Sequence, residues 1–327
     1  MAYRSKKVLI TGGAGFIGSH LAEKLLQSGE EVFVIDNLST GSLKNIKHLR
    51  KNKKFHFIKG TVLNKKKVAN LVKKVDQIYH LAAAVGVKTI IDKPLESFLL
   101  NLKGTEIVLE NAAKYKVPLL ITSTSEVYGK NNKLPFKEED DRIYGSAYNS
   151  RWGYGLSKGS DEFLALAYHR EKDLSVVITR LFNVIGPRQT GSYGMVVPRF
   201  IQQCLAGKPI TIYGTGNQTR CFAFIDDVVL ALISLMSNPK AVGKIFNLGS
   251  DKEITIKNLA KIVKRLTKSK SQITFVPYNK VYGQGFEDMA HRRPDLTKIR
   301  KLIGYKVNIS LKEAIKKIIR YLNSSVN

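Results

Sequence analysis

Short apolar runs recur along the chain, separated by stretches with helical spacing. Seven of them read as strands: 6–11 (KKVLIT), 31–35 (EVFVI), 55–59 (FHFIK), 76–81 (DQIYHL), 117–123 (VPLLITS), 174–180 (LSVVITR) and 244–248 (KIFNL). Amphipathic patterns such as "HLAEKLLQSG" and "NLKGTEIVLENAAKY" fill most of the gaps. Strands alternating with helices predict an α/β fold, a doubly wound parallel sheet of about seven strands with helices on both faces. The strands are apolar almost throughout, as expected of a sheet covered on both sides.

After about residue 180 the rhythm loosens, Gly and Pro become frequent ("VIGPRQTGSYGMVVPRF", "GKPITIYGTGNQ"), and an amphipathic helix, "SLKEAIKKIIRYL", closes the chain. This pattern predicts a sheet domain over 1–180, with a returning segment near 221–250, and a smaller C-terminal lobe mainly over 181–327. One cleft should lie between them. "GTGNQT" (214–219) follows no buried strand into a helix and reads as a hairpin turn.

Composition changes this picture little. With 327 residues and 43% apolar content, the chain can bury a large core. The apolar runs near the N-terminus and in "VVLALISLM" are too short for a signal peptide or a membrane span. Two cysteines, Cys204 and Cys221, have neither metal-ligand nor redox spacing and fit a reducing cytoplasm. The net charge of +28 invites a nucleic-acid reading. However, the lysines sit in short scattered clusters with no recognition motif, so a solvated basic surface is expected instead.

The chemistry concentrates where strands end. "LITGGAGFIGSHLAEKLL" runs from the first strand into the first helix and contains Gly12-x-x-Gly15-x-x-Gly18. Such glycines permit a tight turn, close approach of backbone to a pyrophosphate and close helix–strand packing, with the helix N-terminus facing the phosphates. The second strand ends in Asp36, at the spacing where a carboxylate bonds the adenosine ribose 2′-hydroxyl and repels a 2′-phosphate. No arginine adjoins it, Asn37 and Leu38 coming next, so NAD rather than NADP is the expected cofactor.

The fifth strand surfaces into "STSEVYG", which places Thr124, Ser125 and Glu126 side by side. Further on, "RWGYGLSKGSDEF" sets Tyr154 and Lys158 four apart at the start of a predicted helix, on one face. A lysine there is expected to lower the tyrosine pKa, so that the phenol can take a proton from a substrate hydroxyl as its carbon gives up hydride. His80 ends the fourth strand and reads as a structural histidine. Trp152 and Tyr148 either line a pocket or simply pack.

These motifs, with HLAA (80–83), Asn101, RLFN (180–183), GPR (186–188), TRCFAFIDD (219–227) and RRPD (292–295), stand in one order over nearly the whole chain. Together they resemble the extended short-chain dehydrogenase/reductases that act on nucleotide sugars. The resemblance implies a hydride-transfer centre of Thr124, Tyr154 and Lys158. It implies cofactor contacts from Gly12, Gly15, Phe16, Ile17, Gly18, Asp36, Asn37, Leu81, Ala82, Ala83 and Asn101, with Tyr154 and Lys158. Asn183, Arg220 and Arg292 would hold the diphosphate and ribose of a nucleotide sugar, a UDP-sugar being favoured. It also implies a homodimer built on the helices around 101–115 and 155–171. One departure stands out: Gly60-Thr61 occupies the place of the family's Gly-Asp, which removes the aspartate that bonds adenine.

The Thr-Ser-Glu triplet bears on the reaction. The family's 4,6-dehydratases carry Thr-Asp-Glu there, and Ser125 lacks the acidity for that elimination. Thr-Ser-Glu resembles the UDP-glucuronate decarboxylases, as do "SRWGYGLSK" and "YGQGFEDMAHRRPDL". That likeness implicates Ser125, Glu126 and Arg292 in catalysis, Glu126 and Arg292 steering the sugar carboxylate or supplying a proton at C5. UDP-hexose 4-epimerisation, 4,6-dehydration and a non-catalytic binding role are the alternatives. Retention of both Tyr154 and Lys158 argues against the last.

Overall fold

The computed structural model describes residues 5–191, 195–283 and 287–324. The expectations attached to residues 1–4, to "SYG" (192–194) and to "QGF" (284–286) therefore lie outside the described residues.

All seven expected strands form, and they make one sheet: β1 (Lys7–Thr11), β2 (Glu31–Asp36), β3 (Phe55–Lys59), β4 (Gln77–His80), β5 (Leu119–Thr124), β6 (Val176–Leu181) and β7 (Lys244–Leu248). Every pair is parallel, in the order β7-β6-β5-β4-β1-β2-β3. Alternation along a strand sends neighbouring side chains to opposite faces. Val8 and Ile10 of β1 accordingly pack with helix α1 (Phe16–Gln27), while Leu9 belongs to the opposite core. That second core is closed by helices α2 (Pro94–Tyr115) and α3 (Gly153–Lys172), and the first also by α4 (Ile225–Met236). Because β7 and α4 come from beyond residue 220, the chain returns to the sheet after leaving it.

The remaining segments build short paired strands beside the carboxyl ends of the sheet: Ile210–Tyr213 with Ile273–Val276, and Thr219–Cys221 with Glu253–Thr255. This corrects the hairpin expected at "GTGNQT". The strands on either side of that turn pair with different partners, not with each other. Gly214 and Gly216, both at positive φ, change the chain's direction between the two small sheets. The closing helix Leu311–Ser324 buries Ala314, Ile315 and Ile318, one face at helical spacing. Among the described residues no helix is long and apolar enough to cross a membrane, and no His/Cys/Asp/Glu cluster could hold a metal.

Candidate active site

A cleft of about 840 Å³ opens at the carboxyl ends of β1, β2, β4, β5 and β6. Ligands of open α/β sheets bind at that edge, where the strand order reverses between β1 and β4. The first wall is the glycine turn after β1. Gly12 sits at φ +71°, and a Cβ there would meet Ala82 N at 2.9 Å. A Cβ on Gly13 would strike Val34 at 2.6 Å. Larger residues would push the turn off the sheet and fill the space for a ligand's phosphates. Gly12, Gly15, Phe16, Ile17, Gly18, Asp36, Asn37, Leu81, Ala82 and Ala83 all line the cleft.

Asp36 accepts the amides of Ala14 (2.9 Å) and Leu38 (2.7 Å), which fixes its carboxylate beneath the turn. Burial nonetheless raises its pKa, against the pull of those amides. Thr61 also lines the cleft, and its hydroxyl accepts the Leu63 amide at 3.3 Å. Asn101 is used otherwise: it accepts from the Ala84 amide (2.8 Å) and donates to Ser157 Oγ (3.1 Å), tying the loop after β4 to α3 instead of lining the cleft. His80 is the structural histidine expected, bonded to Thr11 Oγ1 (2.8 Å) and Thr105 Oγ1 (3.1 Å). Burial, with the nearby Lys158 charge, lowers its pKa to about 3.

At the end of β5 the Thr124 hydroxyl accepts the Glu126 amide at 3.2 Å and starts a single 3₁₀ turn, Ser125–Tyr128. Ser123, just before it, donates to Glu162 of α3, whose carboxylate is held by Arg180 (2.9 and 3.0 Å) and by Arg142. The strand end is therefore anchored from below while the turn aims Glu126 into the cleft. Asn149 caps the turn Ser150–Trp152 and so delivers Arg151 at the mouth of α3, with Tyr154 in its first turn.

Five charged side chains converge here. Glu126 pairs with Arg151 and, at 3.3 Å, with Arg292. Asp288 pairs with Arg220 at 2.7 Å and reaches Arg151 at 3.6 Å. Arg292 also approaches Ser125 Oγ and Asn183 Oδ1, both at 3.5 Å. Three guanidiniums against two carboxylates leave a net positive wall, suited to an anionic ligand. Arg151 and Asp288 were not singled out in the sequence. Their only signal was position, one beside the Tyr-x-x-x-Lys motif and the other four residues before Arg292. Tyr148 is fully solvent-exposed, whereas Trp152 is buried and donates to Glu287 (2.7 Å); neither lines the cleft.

The electrostatics of the cluster bear on three of these residues, and one expectation is corrected. Burial would push the Glu126 carboxyl up, but Arg151 and then Arg292 outweigh it and hold the pKa below the usual carboxylate range. Glu126 is thus held as an anion, which suits the steering role expected of it. Arg292 moves the other way: burial, then the Arg220 charge, lowers its pKa to about 10. The correction concerns Tyr154. Its pKa is raised, by burial and then by Glu126 and Asp161. Lys158 does not counter this, because its ammonium is paired at 2.8 Å with Asp161, one turn further along α3.

A parallel sheet with this strand order, a glycine cradle with an anchored acidic residue, and Tyr154 beside an arginine-lined pocket define an extended short-chain dehydrogenase/reductase, an NAD-dependent enzyme of nucleotide sugars. Within that class the chain belongs to the family described as GDP-mannose 4,6 dehydratase, whose profile matches residues 9–318. The chain is 42% identical over 323 residues to a UDP-N-acetyl-alpha-D-glucosaminuronate decarboxylase of Bacillus cytotoxicus, covering 98% of this chain and 99% of the relative. It is 37% identical over 318 residues to UDP-glucuronic acid decarboxylase 1 of Danio rerio, covering 97% and 73%. Among solved structures it resembles UDP-glucuronic acid 4-epimerase from Bacillus cereus in complex with UDP-glucuronic acid and NAD. That match has a TM-score of 0.88 at 30% identity and covers 98% of this chain and 99% of the other.

Proposed function

We propose that the protein decarboxylates a UDP-linked hexuronate, UDP-glucuronate or its 2-acetamido counterpart, through a transient 4-keto sugar. The product is the corresponding UDP-pentose, UDP-xylose in the first case, or its 4-ketone. The observation that carries this reading is the ionised Glu126, held between Arg151 and Arg292 at the end of β5. Both reactions must hold a sugar carboxylate, but only decarboxylation must also break the C5–C6 bond and deliver a proton to C5, and a buried cluster of charged groups beside Ser125 suits that extra task. The names of the relatives from Bacillus cytotoxicus and Danio rerio point the same way.

In this reading residues 1–180, with the returning segment near 221–250, hold NAD, and 181–327 mainly hold the nucleotide sugar. When bound, NAD would supply the acceptor for the C4 hydride, and its reduced form the donor that turns the 4-keto product into the pentose as Tyr154 gives its proton back to the C4 oxygen. Tyr154 takes the proton of the sugar 4-hydroxyl, and Thr124 donates a hydrogen bond to the same oxygen. The resulting 4-ketone makes the C6 carboxylate a β-keto acid. The C5–C6 bond breaks, carbon dioxide departs, and the electron pair moves onto the C4 oxygen, which Tyr154 and Thr124 stabilise. Arg292 is the cluster's most readily released proton and serves C5, while Glu126 orients it and Ser125 bonds its guanidinium. Arg220 and Asn183 hold the diphosphate and ribose, a task suited to the planar guanidinium fork.

A second reading, 4-epimerisation of UDP-glucuronate, draws on the likeness to the Bacillus cereus epimerase. Incubation with NAD and each UDP-uronate, followed by mass analysis of the sugar nucleotides, separates the two. Loss of carbon dioxide supports decarboxylation, and an isomer of unchanged mass supports epimerisation. No turnover of either uronate would sink both.

The exposed faces of α2 and α3 support a homodimer. Leu95, Leu99, Leu156 and Phe163 are open to solvent there, and a second copy covering them would complete a four-helix bundle.

A further inference from the structure

We propose that Asp161 is a positioning residue that holds Lys158 inside the protein wall and gives it up to the cleft when the dinucleotide binds. This rests on the assignment of Tyr154 and Lys158 to hydride transfer, but its deciding readout, NAD binding, does not require turnover of any sugar.

Three observations carry it. Lys158 Nζ lies 2.8 Å from Asp161 Oδ2, an i,i+3 pair on α3 with side chains 3% and 0% exposed. Tyr154 and its neighbours Arg151 and Glu126 line the cleft, whereas Lys158 does not. The other carboxylate oxygen, Asp161 Oδ1, is buried without a hydrogen-bond partner, so beside the Thr105 hydroxyl it is chiefly Lys158 that satisfies the charge of Asp161. A buried ion pair of this kind is costly to break by removing one side and gives modest net stability when intact. It is better understood as a device that fixes where the ammonium points.

The charged and titratable surroundings are few. Glu126 and Arg151 face Tyr154 from the turns after β5 and before α3. His80 of β4 faces Lys158, and Glu162 of α3 neighbours Asp161. Glu162 is already taken by Arg180 and Arg142, and His80 is neutral between two threonines. Asp161 is thus the anion that competes with the cleft for Lys158.

The test is Asp161→Asn, which keeps the side chain's shape and removes its charge. Titration of the substrate-free protein with NAD should show tighter binding by about tenfold, the scale of one charge-assisted hydrogen bond no longer spent on Asp161. The acid limb of the pH–kcat profile should move to lower pH, since the freed ammonium favours the Tyr154 phenolate. In a Lys158→Met background Asp161→Asn should leave NAD affinity unchanged. Asp161→Ser serves as the second variant if the amide folds poorly. Unchanged or weaker NAD binding in the folded single variants, or the same change in the Lys158→Met background, would overturn the proposal. A wild-type protein that binds NAD but turns over no UDP-uronate would instead count against the proposed reaction alone.

Discussion

Arg292 places Nη1 3.3 Å from Oε1 of Glu126, joining residues 166 apart in the chain. One comes from the turn that ends β5, the other from the segment leading into the last helices. Their meeting closes one wall of the cleft, within a cluster that sets the charge of both. Arg151 and Arg292 hold the carboxylate ionised, and the guanidinium, buried and crowded by Arg220, releases its proton more readily than an ordinary arginine.

Glu126→Gln should therefore cut decarboxylation severely, by about 10²–10³-fold in kcat, the scale of losing one preorganised electrostatic group. NAD affinity should stay near the wild-type value, because Glu126 lies on the sugar side. Carbon dioxide release under saturating UDP-uronate, beside an NAD titration, measures both.

Tyr154→Phe removes the group that accepts the 4-hydroxyl proton, and should lower turnover by about 10²–10⁴-fold with the fold intact. The raised tyrosine pKa gives the profile a sign: wild-type kcat should climb with pH through the neutral range. A flat profile from pH 6 to 9 would mean another group takes the proton.

Arg151 bridges Glu126 and Asp288 with a side chain only 2% exposed. Arg151→Ala leaves Glu126 to Arg292 and Asp288 to Arg220 and should destabilise the protein by about 1–3 kcal/mol, the cost of buried charges losing one hydrogen-bonding partner. Arg151→Lys should recover only part of that, since an ammonium lacks the fork that reaches both acids. Denaturant unfolding gives the values.

Acid should weaken the same cluster. Glu126 and Asp288 both have folded-state pKa values depressed by their arginines. Their contribution to stability is full above the unfolded carboxylate pKa and is lost as pH falls through the lower folded values. Unfolding free energy measured from about pH 5 down to about pH 2 should fall, and fall less steeply in Glu126→Gln.

The exposed Leu156 and Phe163 of α3 supply the test of assembly. The double variant Leu156→Glu, Phe163→Glu should sediment as a monomer where the wild type sediments as a dimer. Identical sedimentation of the two would remove the proposed four-helix interface.

Much of this architecture was legible from pattern. The seven strands were readable because each crosses a sheet covered on both faces and so carries a short continuous apolar run; β3, β5 and β6 begin or end within two residues of expectation. The glycine turn and Asp36 were readable because a pyrophosphate cradle constrains residue type at fixed spacing within one βαβ unit. Tyr154 and Lys158 were readable for the same local reason, one helix face.

Local sequence thus determined the sheet, its cofactor cradle and the tyrosine that stands over it, since each is built within a few turns of chain. Tertiary structure alone decided what those groups face. Lys158 turns to Asp161, as easily reached along the same helix as Tyr154, because burial makes an unpaired ammonium costly and the nearest anion takes it. Arg151, Glu126, Asp288 and Arg292 become one charge cluster only when the chain's last third folds back over the sheet. Coulomb energy depends on distance through space and on the medium between the charges, and neither is written in the spacing along a sequence.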